Sequence, residues 1–530
     1  MARPSLPVAR YAVSVLALAG LGLVFTPAAC GGTGGSSGNH NGSSGGSGSG
    51  GSSGSGSSSG SFGGSGGSSG SGSSSGGSVV CPSGLQCNVS CSGGGTTSIS
   101  GVVYDPAGKD PLYNIAVYVP AAPLQPLPAG VPTGADACNC AALFKSGAVV
   151  STTTGVDGSF KITNAPVGGS VPLVIQVGKW RRQFNINVTA CQDNPQMGTM
   201  LSLPATVPMG DTITNMPDIA VSTGGADTLE CLMRRMGLPE TEYVAGAGGT
   251  GHVHVFSGGD TGGGGGGNVG GPEQPSMTGA PASSTTLWDS QAHLMPYDIL
   301  LLSCEGGETY NANPPALEAY LNAGGRAFGS HFHYSWFSGP IGSGQGYAAP
   351  ADWGTNLATW TAGSNGGGAQ ANGKIVQTLN GSTQPFVKGE ALFQWLGLEG
   401  ALGVLGAPAM ELPMRPPRFN AVVGPNNKPS QPWVNDDKTT NTMYFSFDTP
   451  VNAAAPPDGG PPAYCGRAVF SDLHVGGETT PADKPPPPGG CSSADLSPQE
   501  KALEFMLFDL SSCVIPDTQP PSDAGVPIVQ

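Results

Sequence analysis

Residues Tyr297 to Phe337 read YDILLLSCEGGETYNANPPALEAYLNAGGRAFGSHFHYSWF. The unbroken apolar run from Ile299 to Leu302 lacks the alternation of a half-buried strand, and it predicts a parallel strand covered on both faces. It ends at Ser303-Cys304-Glu305-Gly306-Gly307. Asn313 followed by Pro314 predicts a capped helix start, Leu317, Tyr320 and Leu321 fall on one face, and Gly324 closes the helix. Arg326-Ala327-Phe328 opens the next strand. Strand, helix and strand in that order make a βαβ unit. Ligands of such sheets gather at the carboxyl ends of the strands, where Glu305 and His331 both fall.

Four of the 7 histidines sit in two H-x-H pairs, His252/His254 and His331/His333. Alternate residues of a strand point the same way, so each pair would offer two imidazoles to one ion, with Glu305, Asp472 or His474 as a third ligand. His333 also lies beside Tyr334 and Trp336, a position suited to a ligand-binding wall or to plain packing. Neither pair has a carboxylate at a spacing that would orient its second nitrogen, and no third ligand is fixed by spacing. No metal or other cofactor is therefore expected.

Outward from this stretch the chain changes character. Arg3 and Arg10, an apolar run from Tyr11 to Phe25, and the small residues Ala28 and Ala29 have the three parts of an export signal. Ala28-Ala29-Cys30-Gly31 resembles a bacterial lipobox, which predicts lipidation of Cys30 and anchoring to a bilayer at the outer membrane or cell surface. From Gly31 to Ser78 the sequence is almost wholly Gly and Ser, with Phe62 the one large apolar residue, so nothing there offsets the entropy of ordering the backbone. A coil of about 48 such residues reaches about 40 Å.

Lys+Arg 20 against Asp+Glu 35 gives a net charge of -15, and no basic block is present to neutralise phosphates. Nucleic acid is excluded as a partner on this ground. The Gly-rich run from Gly258 to Gly271 carries no Lys or Ser/Thr at P-loop spacing, which argues against a phosphate cradle. Of the 12 cysteines, 11 follow Cys30, so disulfides are expected with at least one thiol left over. Cys304, inside the strand-turn edge, is the candidate for that thiol.

Residues 97–190 alternate as the strands of a β-sandwich do, with Ile115, Val117 and Val119 on one face and a turn at Asp157-Gly158. The run TTTGVDGSFKITNAPVG, Thr152 to Gly168, resembles the carboxypeptidase regulatory-like, transthyretin-type domain, with residues Ala121 to Lys145 as an insertion. That resemblance implies a spacer or binding module without chemistry of its own. Asp227-Thr228-Leu229-Glu230 and Ser497-Pro498-Gln499-Glu500 both predict capping boxes that open helices.

YDILLLSCEGG, YLNAGGRAFGSH and Cys465 to His474 (CGRAVFSDLH) resemble the glutamine-amidotransferase-like superfamily, in particular its ThuA-like branch, associated with sugar utilisation. The resemblance implies a flavodoxin-like α/β domain in which one strand leads to His331 and another to His474. Amidotransferases place a nucleophilic cysteine in a G-x-C-x-G elbow. Here Gly329-Ser330-His331-Phe332-His333 stands in its place, which argues against glutamine hydrolysis.

The organisation expected is thus an export signal (1–29), a lipidated Cys30 with its linker (30–78), a Cys-rich segment (79–96), a sandwich (97–190), a connector (191–225), an α/β domain (226–514) and a disordered tail (515–530). Its leading functional reading is a surface lipoprotein that binds carbohydrate or cell-wall material without turnover, through His333, Tyr334, Trp336 and Asp472. The alternatives are an enzyme using His331 and His474 with Glu305 as acid or base on a sugar-derived or other small hydroxylated substrate, and a structural or adhesion protein.

Overall fold

The computed structural model describes residues 81–517, except 225, 259–282, 310–311, 340, 342–347, 363–369, 416, 439–440, 455–456, 458–462, 476–490 and 493. The export signal, Cys30, the Gly/Ser tract, most of the run from Gly258 to Gly271 and the tail beyond Asp517 lie outside the described residues.

The first half holds strands β1 (Ser98–Val102), β2 (Ala116–Pro120), β3 (Ala148–Thr153), β4 (Ser159–Thr163), β5 (Gly168–Val177), β6 (Trp180–Val188) and β7 (Asp193–Pro195). They sort into two sheets, β4-β1-β7 and β3-β2-β5-β6. Alternation aims Val117 and Leu173 from one sheet and Ile99 and Ile162 from the other into a common core. The Asp157-Gly158 turn joins β3 to β4, but it carries the chain between sheets, because β4 pairs with β1 and not with β3. Gly158 takes φ +69° there, a backbone that glycine adopts without strain. The insertion from Ala121 to Lys145 buries the other face of β2, packing Leu124 and Phe144 on Tyr118.

The stretch 191–225, expected as a connector, contains β7 and also β8 (Ile219–Ser222). The four residues of β8 are too few to show a period. The chain continues through α1 (Leu229–Arg235), β9 (Tyr243–Ala245), β10 (Val253–Phe256), α2 (Gln291–Leu294), β11 (Ile299–Leu302), α3 (Pro314–Asn322), β12 (Arg326–Ser330) and α4 (Tyr334–Ser338). After these come β13 (Thr359–Trp360), β14 (Ala371–Ile375), α5 (Val387–Leu398), β15 (Leu412–Met414), β16 (Ala421–Val422), β17 (Ser430–Asp436), β18 (Thr442–Thr449), β19 (Gly466–Ser471) and α6 (Pro498–Ser511).

A ten-stranded sheet runs β15-β14-β17-β18-β19-β12-β11-β8-β10-β9. The six strands from β19 to β9 are mutually parallel, and β18, β17, β14 and β15 continue antiparallel. β11 shows why its run is continuous: Ile299 and Leu301 face α1 and α6, and Leu300 and Leu302 face α3, so no residue of it meets water. Asn313 caps α3 by accepting the Ala316 N–H at 3.3 Å, and the Ser497/Glu500 box opens α6.

The sandwich and the α/β sheet are parts of one unit spanning Ser74–Gln530, and their apolar residues form one continuous core. A Cβ on Gly178, in the β5–β6 turn, would lie 1.9 Å from the Ser511 carbonyl oxygen, so only glycine admits the end of α6 there. Disulfides Cys138–Cys465 and Cys140–Cys513 tie the sandwich insertion to the start of β19 and the end of α6. Cys81–Cys87, Cys91–Cys191 and Cys231–Cys491 complete five bridges, and among the described residues Cys304 is the free thiol. Such bridges are compatible with an exported protein, and among the described residues no helix is long and apolar enough to cross a membrane.

Candidate functional site

At the carboxyl edge of the parallel sheet four apolar strands give way to polar residues at one level. Leu302 lies level with Ser222 and with Gly329, and Ser330 with Ser471, so the loops after β8, β11, β12 and β19 emerge side by side. They carry Asp227, Cys304, His331 and His474. The loop after β8 passes so close to the loop after β11 that a Cβ on Gly224 would lie 2.1 Å from the Cys304 carbonyl oxygen. That carbonyl accepts the N–H groups of Ala226 and Asp227 at 3.0 and 3.2 Å, which fixes where Asp227 enters.

The four side chains form a connected cluster. Cys304 Sγ is 3.6 Å from His331 Nδ1, and the Gly306 N–H donates to the sulfur at 3.5 Å. The imidazoles of His331 and His474 stack with centroids 3.8 Å apart and 20° between planes. His474 Nδ1 is 3.2 Å from Asp227 Oδ1, which leaves Nε2 as its free ring nitrogen. Asp227 Oδ2 accepts the hydroxyl of Ser330 and, at 3.4 Å, the Cys304 N–H. Cys304, His331 and Asp227 are buried, and His474 is half-buried.

His331 reaches this position through its backbone. β12 ends at Ser330, and His331 takes φ +51°, the left-handed region that a branched-ring residue enters at a cost of about 1–2 kcal/mol. The chain thereby turns from strand to helix with His331 at the apex of an elbow.

Burial sets the electrostatics. It drives the His331 imidazole down to about 2, with His474, Arg418 and His333 acting in the same direction. His333 falls to about 4 for the same first reason, against the opposing bond to the Ser330 carbonyl. The Cys304 thiol is pushed well above its ordinary value by burial and by the charges of Asp227 and Glu305, although the Phe332 and Gly306 N–H groups pull the other way. At neutral pH His331 and His333 are uncharged and the thiol keeps its proton. Arg418 stands behind them, its guanidinium 3.9 Å over the Phe332 ring and 5.2 Å over Tyr334. Uncharged imidazoles are competent as proton acceptors or as ligands, and Asp227 fixes the orientation of one of them.

Other residues singled out from the sequence lie elsewhere. His331 and His333 do not share a strand face, because the alternation stops with β12 and both belong to the following turn. His333 Nδ1 bonds the Ser330 carbonyl at 3.0 Å, and its buried Nε2 has no protein partner. Tyr334 donates to Glu308, while Trp336 donates to Thr309 Oγ1 at 3.0 Å and packs edge-on against Trp288. Both rings are buried in the core under the sheet, so neither forms a ligand-binding wall. Asp472 is fully buried and accepts the N–H groups of Asn420 and Ala421 at 2.9 and 3.4 Å, clamping that segment rather than facing a ligand. Glu305 is buried beside Cys304, but its Oε1 lies toward Gly258, after β10, where a Cβ would stand 3.2 Å from it.

His252 and His254 stand at the opposite edge of the sheet, since Val253 is level with Ile219, where β8 begins. His252 Nδ1 is 2.6 Å from Glu242 Oε2, and His254 Nδ1 is 3.1 Å from the Gly246 carbonyl oxygen. The four H-x-H histidines therefore do not meet around one ion. The fold instead brings Cys304 and His474 to His331 and sets Asp227 on the His474 ring. The capping box expected at Asp227 does not form there: Thr228 holds the cap position of α1 and makes no side-chain cap bond. An acidic residue just beyond a strand end is the signal, and the shortness of β8 hides it in the sequence.

Neither the protein-family models, nor the curated proteins, nor the solved structures with which the chain was compared give a match.

Proposed function

We propose that the chain is an exported enzyme, held at a bilayer through lipidated Cys30, that performs acid–base chemistry on a small hydroxylated, sugar-derived substrate at the carboxyl edge of its parallel sheet. The observation that carries this reading is the His331/His474 stack with Asp227 fixed on the outer imidazole. Burying an imidazole, a thiol and a carboxylate beside a second, half-buried imidazole costs stability that apolar side chains would not, and such costs collect at working sites. In this reading His474 accepts the substrate proton at Nε2, Asp227 holds its ring, and His331 backs it in the left-handed elbow.

The substrate class comes from the resemblance to ThuA-like proteins, whose two strand-borne histidines match His331 and His474. The resemblance of the sandwich to transthyretin-type domains implies a spacer or binding module without chemistry of its own, which leaves the chemistry to the α/β sheet. Binding without turnover is the weaker reading, because Tyr334 and Trp336, the aromatic surface it relied on, are core residues.

The test is turnover by the full exported chain on a panel of glycosides, sugar lactones and oxidised sugars, with His474→Gln and Asp227→Asn alongside. A hydrolysed or isomerised panel member whose kcat falls about 100- to 10,000-fold in His474→Gln supports the proposal. Sugar binding that both variants retain, without turnover, overturns it in favour of the binding reading.

A further inference from the structure

We infer that Cys304, His331 and His474 are the three protein ligands of a transition-metal ion of the zinc class. The inference rests on reading the same cluster as the working site, and it revises one role there: in the loaded protein the Nε2 lone pair of His474 holds the ion and no longer takes the substrate proton. One ligand atom from each of these residues lies within 4.8 Å of the other two. An ion about 2.3 Å from sulfur and about 2.05 Å from nitrogen, at a tetrahedral angle, separates the two atoms by about 3.6 Å. The separation of Cys304 Sγ and His331 Nδ1 is 3.6 Å.

The donor types select the ion. One thiolate and two imidazoles suit zinc, and a set without oxygen ligands is wrong for magnesium or calcium. Three protein ligands leave a fourth position for water or substrate, as in catalytic zinc sites. His474 is the partly exposed member, so solvent meets the cluster at its ring. The surroundings match as well: Asp227 holds His474 Nδ1, the usual partner of a metal-bound imidazole, and the Gly306 N–H supports the sulfur. Stacked parallel rings cannot both aim a lone pair at one ion, so loading tilts His474 out of the stack to bring Nε2 in. As the sulfur–metal bond forms, the thiol proton leaves to solvent.

The probe is Co2+ added to the full exported chain after chelation, with any affinity tag removed. One Co2+ per chain is expected, with a near-ultraviolet thiolate-to-metal charge-transfer band and the strong visible bands of a tetrahedral site, both erased by Zn2+. Cys304→Ser is expected to abolish the charge-transfer band, and Asp227→Asn to weaken binding about 10- to 100-fold while keeping the band. X-ray absorption of the unmutated zinc-loaded chain needs no variant, and one sulfur among nitrogen or oxygen scatterers is the expected shell. A chain that takes up no Co2+, or a zinc shell without sulfur, overturns the inference. Turnover that survives chelation would overturn it while leaving the proposed enzyme intact. A sulfur-bound ion in a protein that turns over no substrate would uphold it and sink the enzyme.

Discussion

The two edges of the parallel sheet each hold a pair of histidines, and they treat them in opposite ways. At the amino edge, His252 is paired with Glu242, His254 is bonded to the Gly246 carbonyl, and a buried Lys179–Asp298 pair at 2.5 Å and two disulfides lie among the neighbouring segments. At the carboxyl edge, His331 and His474 lie against each other and a protonated thiol. An acidic partner is common to both edges, Glu242 for His252 and Asp227 for His474, so what sets the carboxyl edge apart is the second imidazole and the thiol. Two imidazoles stacked in a buried pocket, one on a left-handed backbone, are held there at a cost that packing alone does not explain. The amino edge binds the molecule together, and the carboxyl edge is where chemistry is available.

The largest effect that separates the edges is on turnover. His474→Ala is expected to lower kcat about 100- to 10,000-fold, while His252→Ala leaves kcat within about twofold. Equal losses from both would erase the distinction. The next effect is on stability. Replacing Cys138 and Cys465 by Ser opens a bridge spanning 327 residues and is expected to cost about 2–5 kcal/mol in denaturant unfolding, with kcat unchanged at temperatures where the protein stays folded. A fall in kcat without a loss of stability would mean that the amino edge takes part in the chemistry.

The smallest effect is in pH dependence. Burial lowers the His252 value, but the bond to Glu242 outweighs it, and the net position lies above the ordinary 6.5. The folded protein thus holds this proton more tightly than the unfolded chain. Its contribution is complete below about pH 6.5 and is lost as pH rises through the folded value. His252→Gln should flatten stability over that window. An unchanged slope would show that the Glu242 pair does not hold the proton.

The βαβ unit was legible because each of its parts announces itself: Ile299 to Leu302 are apolar without alternation, Asn313-Pro314 opens the helix and Gly324 ends it. β8 was not, since Ile219–Ser222 is too short for a period and sits in what composition marks as a connector. Missing it hid Asp227, whose position before α1 imitates a cap. The H-x-H reading failed for a different reason: His331 and His333 were placed on a strand, whereas β12 ends one residue earlier and φ +51° at His331 redirects the chain. Cys304 could be marked as the unpaired thiol, but its neighbours come from segments as far as 170 residues along the chain, which spacing does not report.

The most direct test of the carboxyl edge needs no substrate. Asn tolerates the left-handed backbone at little cost, so His331→Asn keeps the elbow and removes the ring. With a chelator in both samples, denaturant unfolding is expected to show stability equal to or above that of the unmutated chain, because the ring serves function and not packing. A loss of 2 kcal/mol or more, in the range of core truncations, would make His331 a packing residue and contradict the account.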